Sequence, residues 1–111
     1  MKLLFICNQN QHRSRTAEII FKEKYNTKSA GIFPTAETVL TSQALEWADI
    51  VFVMKPVQRK FIAENFPAQY LKKQIITLDI PDIYNYMDPR LVEMLEKEIN
   101  EALKDGFKYS I

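Results

Sequence analysis

Cysteine and histidine each occur once in this sequence. A single thiol excludes an internal disulfide framework, and one thiol with one imidazole excludes a Cys/His zinc cluster, so no metal and no cofactor is expected. Glycine occurs twice, as Gly31 and Gly106, so any loop that cradles a phosphate must do it without the usual glycines. Neither sign of charge dominates: 15 Lys and Arg stand against 14 Asp and Glu, a formal net charge of +1. No basic run interleaved with aromatics occurs, which argues against nucleic acid as a partner. No apolar run approaches the ~20 residues of a membrane span, so no membrane partner is expected. Met1-Lys2 leads into Leu3-Leu4-Phe5-Ile6-Cys7, too short for the apolar region of a signal peptide, and it reads as a first strand. With the lone thiol, this points to a cytoplasmic location.

What is present is an ordinary globular balance, 47% hydrophobic and 26% charged over 111 residues, read as one domain spanning 1–111. Leu3 to Ile6, Ile50 to Met54 and Ile75 to Leu78 are short apolar runs, the pattern of strands buried on both faces of a parallel sheet. Thr27 to Gly31 is more polar and belongs at an edge. Helices are expected between them. Ser14 to Tyr25 places Ala17, Ile20, Phe21 and Tyr25 on one face, and Thr41 to Ala48 carries a Thr or Ser cap. Pro56 to Phe66 opens on proline and turns Val57, Phe61 and Phe66 inward. The last helix is capped by Asp88, opened by Pro89, striped by Leu91, Leu95, Ile99, Ala102 and Leu103, and ended by Gly106. The β-α-β-α-β-α-β-α order implies a single-domain α/β fold: a four-stranded parallel sheet with helices on both faces and a phosphate-binding loop after the first strand. Ligands bind such sheets at the carboxyl ends of the strands. The segments Ile6 to Thr16 and Asp79 to Met87 both lie there.

The first of these segments carries chemistry. Cys7 ends the strand, Asn8-Gln9-Asn10-Gln11-His12 follow, and Arg13-Ser14 open a helix. If the loop curls around an anion, its backbone N–H groups form a nest, and the helix adds free N–H groups and its positive dipole end. Asn8, Gln9, Asn10, Gln11, His12, Arg13 and Ser14 are the expected phosphate-binding residues, with Arg13 clamping two oxygens through its planar fork. Such a positive site lowers the pKa of Cys7 and makes it a nucleophile. The same donors would stabilise a phosphoryl group in transfer. The plainer reading is that Cys7 is a small core residue and the C-x5-R spacing accidental. The preceding strand, the adjacent serine and the strong helix favour the anion loop.

Cys7-x-x-Asn10-x-x-Arg13-Ser14 followed by Thr16-Ala17-Glu18 resembles the low-molecular-weight protein tyrosine phosphatase family. The resemblance continues through Ser29-Ala30-Gly31, Trp47-Ala48-Asp49-Ile50-Val51-Phe52-Val53-Met54 and Ile80-Pro81-Asp82, and it is nearest to a compact bacterial branch with a Met-Asp-Pro helix start. It implies a phosphomonoester hydrolase acting on phosphotyrosine or another aryl phosphate through a cysteinyl-phosphate. Cys7 would attack phosphorus, Arg13 would bind the transition state, and Ser14 would support the thiolate. Asn10 would hold the loop open and tolerate a left-handed backbone, and Asp82 would act as general acid. Asp88 stays open as the acid, although capping explains it without chemistry. The family's usual glycine, second cysteine and proline are replaced by Gln9, His12 and Arg15, and Ile83 follows Asp82 where proline is usual.

Around the loop, His12 is expected to pack its outer side rather than to add charge. Tyr84 and Tyr86 either wall the mouth of the site or pack over the sheet edge. Arg15 either favours acidic substrates or is a solvated charge, and Trp47 is expected in the core. The substrate would be a phosphorylated protein or a small aryl phosphate. Two other functions compete: a non-catalytic or weakly active phosphate-binding, phosphoprotein-sensing module, and arsenate reduction with an external thiol.

Overall fold

The computed structural model describes the backbone of residues 1–109 and the side chains of residues 1–104. The strands are β1 (Lys2–Cys7), β2 (Asn26–Gly31), β3 (Ile50–Val53) and β4 (Gln74–Thr77), and all neighbouring strands pair in parallel in the order β2-β1-β3-β4. The helices are α1 (Arg13–Phe21), α2 (Ser42–Trp47), α3 (Pro56–Asn65), α4 (Pro67–Lys72) and α5 (Pro89–Tyr109). Strand order reverses beside β1, and β1 ends in Cys7, so the thiol stands at the switch point where doubly wound sheets bind ligands.

The unbroken apolar run of β1 follows from its central place. Leu3, Phe5 and Cys7 face a core completed by Ala17 and Phe21 of α1 and by Leu91, Leu95, Ile99 and Leu103 of α5. Leu4 and Ile6 face the other core, with Leu45 of α2 and Ile62 of α3. Alternation along the strand thus points Cys7 toward the α1 side. The polar β2 is at an edge, as its composition indicates.

Several elements differ from the expectation. Two helices, not one, separate β3 from β4: Pro67 cannot continue α3, yet its fixed φ suits the first turn of α4. Val57 is 54% exposed, and the buried positions of α3 are Gln58 and Ile62. The inward face of α3 is set by Gln58's bonds, described below, as much as by hydrophobicity. Helix α1 stops at Phe21, whose carbonyl accepts from both Lys24 and Tyr25 N–H in a turn that feeds β2. Helix α5 runs through Gly106 to Tyr109. Glycine costs about 1 kcal/mol against alanine inside a helix but keeps its N–H, so the ladder continues. Thr41 caps α2 by accepting from Ala44 N–H, and Asp88 accepts from Arg90 N–H at the start of α5. Trp47 packs against the α2–α3 core, with Lys28 Nζ 4.4 Å from its ring centroid.

Candidate active site

The loop between β1 and α1 is held from behind. Ile32, Phe33 and Glu37 N–H donate to the carbonyls of Cys7, Asn8 and Gln9 at 3.1 Å each. A trans peptide points its N–H opposite to its C=O, so the N–H groups of Asn8, Gln9 and Asn10 point away from this brace. The third of them meets the sulfur: Asn10 N–H donates to Cys7 Sγ at 3.2 Å. Gly31 makes this bracing possible. A Cβ at Gly31 would lie 2.5 Å from the Asn8 carbonyl oxygen and 2.6 Å from Ala36 Cβ, so the strand can approach the loop only without a side chain.

Asn10 turns the loop with φ 58°, the left-handed region that asparagine tolerates better than most residues. Gln9, at the family's glycine position, has no positive φ, so the glutamine fits without strain of that kind. Its side chain accepts from Thr35 Oγ1 at 3.0 Å. Buried Asn10 donates through Nδ2 to Ser14 Oγ at 2.7 Å, and Ser14 Oγ lies 3.0 Å from Cys7 Sγ. Asn10 Oδ1 is buried with no donor among the described residues, so the amide is oriented from its donor side alone. Asn8 faces away: its Oδ1 accepts from Gln58 Nε2 at 2.8 Å, while Gln58 Oε1 accepts from Lys55 N–H at 2.6 Å. Fully buried Gln58 therefore caps α3 and anchors the loop with one side chain.

Arg13, 2% exposed, donates through Nη1 to the Ile80 carbonyl at 2.9 Å, and its Nη2 lies 3.7 Å from Asp82 Oδ2. Asp82 itself is 63% exposed, so its carboxylate is open to solvent while the Arg13 side chain is buried. Cys7, Gln9, Gln11, His12, Arg13, Asp82, Ile83, Tyr84 and Asn85 line one cleft of about 400 Å³. Among the expected phosphate binders, Gln9, Gln11, His12 and Arg13 face that cleft, Asn10 and Ser14 lie buried under it, and Asn8 is turned to α3.

Asp88 lies elsewhere, at the α5 cap. Hydrogen bonds from the Arg90 side chain and backbone hold its carboxyl below the usual carboxylate range. A carboxyl held ionised is a poor proton donor, and Asp88 does not line the cleft. Tyr84 lines the cleft and also packs against the α5-side core. Tyr86 lines an adjoining groove with Gln11, His12, Arg15 and Glu37, where Arg15 is paired with Glu18 at 3.1 Å. Sequence reasoning missed Gln58, the Ile80 carbonyl and the 32–37 brace. A glutamine at the third position of a helix is a visible capping signal, but its second partner, fifty positions away, is not. Among the described residues, no group of three or more His, Cys, Asp or Glu is gathered as a metal site would require.

No protein-family model matches the chain, and neither does any curated protein. Solved structures do. A low-molecular-weight protein tyrosine phosphatase from T. tengcongensis is 22% identical with a TM-score of 0.73, covering 95% of this chain and 99% of its own. One from Streptococcus pyogenes is 17% identical with a TM-score of 0.76, covering 94% and 91%. The arginine phosphatase YwlE, as a cysteine-to-serine mutant with a phosphorylated active-site serine, is 23% identical with a TM-score of 0.70, covering 94% and 96%. At these identities the likeness is one of fold, over nearly the full length of both partners: the chain has the fold of the low-molecular-weight protein tyrosine phosphatases.

Proposed function

We propose that this protein is a cysteine-dependent phosphomonoester hydrolase that works through a cysteinyl-phosphate. The observation that carries the reading is Cys7 Sγ accepting from Asn10 N–H at 3.2 Å and in hydrogen-bond contact with Ser14 Oγ at 3.0 Å, in a cleft that Arg13 and Asp82 also line. Asn10 Nδ2 already donates to Ser14 Oγ, so the serine's own proton is free to point at sulfur. Both contacts hold the sulfur in place at the cleft, where it can attack phosphorus and later leave.

In the first step Cys7 Sγ attacks phosphorus in line. The P–O bond to the leaving group breaks, and Asp82 delivers its proton to the departing oxygen. Arg13 and the inward N–H groups hold the three equatorial oxygens. In the second step the Asp82 carboxylate takes a proton from water, the water oxygen attacks phosphorus, and the S–P bond breaks to return the thiolate and free phosphate.

The substrate we infer is an aryl phosphate, phosphotyrosine in a protein or a small molecule, with Tyr84 offering a ring at the wall of the cleft. The fold is shared by tyrosine phosphatases and by an arginine phosphatase, so phosphoarginine is the comparison substrate. No helix of the described residues is long and apolar enough to cross a membrane. A cytoplasmic site of action is part of the proposal, because the nucleophile must stay a free thiol.

The test is turnover of p-nitrophenyl phosphate, phosphotyrosine peptide and phosphoarginine peptide by purified protein. Release of phosphate, with a trapped phosphocysteine, is the expected result. Tight vanadate binding with no turnover of any of the three would favour the phosphate-sensing module instead.

A further inference from the structure

The segment from Asp79 to Asp88 has no helix or strand, and Asp82, Ile83, Asn85, Tyr86 and Met87 are exposed along it. Such a segment would wander unless it were tied. Three ties join it to the start of α1. Ile80 C=O accepts from Arg13 Nη1 at 2.9 Å, Tyr86 N–H donates to His12 Nδ1 at 3.1 Å, and Met87 N–H donates to Thr16 Oγ1 at 3.0 Å. Asp82 lies between the first tie and the other two. Its own carboxylate meets Arg13 Nη2 at 3.7 Å, and the His12 and Thr16 ties hold the chain on its far side.

We propose that His12 is a positioning residue for the acid step: its Nδ1, by holding Tyr86 N–H, fixes the far end of the loop that presents Asp82 to the leaving oxygen above Cys7. The inference rests on the phosphatase reading, with Asp82 as proton donor. An Nδ1 that accepts leaves the ring proton on Nε2, so the latch needs the neutral imidazole in one tautomer. The geometry assigns this residue a use that neither packing alone nor added charge describes. Alanine and cysteine at position 12 offer no comparable acceptor. Asparagine does, because its Oδ1 occupies nearly the place of Nδ1. Thr16 supplies the second half of the latch from one helical turn further along.

The experiment compares wild type, His12→Ala and His12→Asn on phenyl phosphate, whose leaving group needs a proton, and on 2,4-dinitrophenyl phosphate, whose leaving group does not. In His12→Ala the ratio of the phenyl rate to the dinitrophenyl rate should fall by about 3- to 10-fold, the worth of one hydrogen bond. His12→Asn should restore most of that ratio. Amide hydrogen exchange at 84–87 should quicken in His12→Ala and return toward wild type in His12→Asn. An unchanged rate ratio, or an Asn variant no better than Ala, overturns the proposal. If wild-type protein hydrolyses neither ester, the phosphatase reading has failed. Exchange at Tyr86 then still decides the latch: quickened exchange upholds it, and unchanged exchange in His12→Ala overturns it.

Discussion

Asn10 Nδ2 donates to Ser14 Oγ at 2.7 Å, and that bond orients the serine hydroxyl while leaving its proton free. A thiolate sulfur can only accept, so toward the ionised Cys7 Sγ, 3.0 Å away, Ser14 is the donor. The effect falls on the second chemical step, when the sulfur must leave as a thiolate. Ser14→Ala should lower kcat by about 10- to 100-fold, the worth of a hydrogen bond to a charged group. Rapid mixing with p-nitrophenyl phosphate should then show a burst of nitrophenol larger than wild type's. A slowed burst with no change in the steady phase would place the serine's role in the first step and refute this assignment.

Cys7→Ala should remove turnover by several orders of magnitude, since covalent catalysis needs the nucleophile itself. The thiol is 3% exposed, so truncation leaves a small void and a modest loss of stability, roughly 1 kcal/mol. Aryl phosphate hydrolysis beside a thermal melt checks both. A folded variant that keeps its activity would exclude the cysteinyl-phosphate.

Vanadate or phosphate should raise the melting temperature, with about 2.7 kcal/mol added at 100 times the Kd. Arg13→Lys should blunt this. Lysine keeps the charge but has no fork, and Arg13 divides its donors between the Ile80 carbonyl and the cleft. One ammonium cannot hold the backbone and present a planar pair to the anion. Equal oxyanion stabilisation of both proteins would count against the clamp.

Asp82→Asn should lose about 10²–10⁴-fold on phenyl phosphate and far less on a nitrophenyl ester. Asp88→Asn should keep the wild-type leaving-group dependence, because its carboxyl serves Arg90 and the α5 cap. The lowered pKa of Asp88 fixes a sign. A carboxyl whose folded pKa lies below its unfolded one, ~3.9 for a free aspartate, stabilises the fold above that value and loses the contribution as pH falls through the folded pKa. The stability difference between wild type and Asp88→Asn, read by denaturant melts, should therefore be constant from pH 7 to about 5 and shift toward the asparagine variant only below about 4. A difference that instead changes near pH 6 to 7 would contradict the Arg90 pairing.

Gly31→Ala tests the brace behind the loop without touching the cleft. Its methyl group would press on the Asn8 carbonyl and Ala36, so the loop and the 32–37 segment must part. A fall in oxyanion affinity larger than the fall in melting temperature explains is the expected outcome. Unchanged affinity would mean that the brace does not shape the anion site.

The strands, the edge position of β2, the α5 stripe and the Cys7-to-Ser14 loop were legible because each rests on local signals: an apolar run, a helical period, a spacing of five residues between Cys7 and Arg13. Asp82 was reached through the resemblance, and the cleft places it beside Arg13. The break between α3 and α4 could have been read from Pro67, but a short polar helix without a buried residue leaves no hydrophobic period to see. Val57 misled because helical spacing records apolarity and not which side the chain turns.

By itself, the sequence determined an α/β chain with one thiol at the end of a buried strand and an arginine at the start of the next helix. That much follows from residue order, since neighbours in sequence are neighbours on a strand or in a tight loop. Only the tertiary structure decided which distant groups meet that loop: Gln58 on Asn8, Gly31 behind its carbonyls, the Ile80 carbonyl on Arg13, and His12 on Tyr86. Each of these is a single hydrogen bond or a single close approach between segments far apart in the chain. No periodicity or composition encodes such a contact; it exists because parallel pairing of β1 with β2 and β3 brings their carboxyl ends to one edge of the sheet.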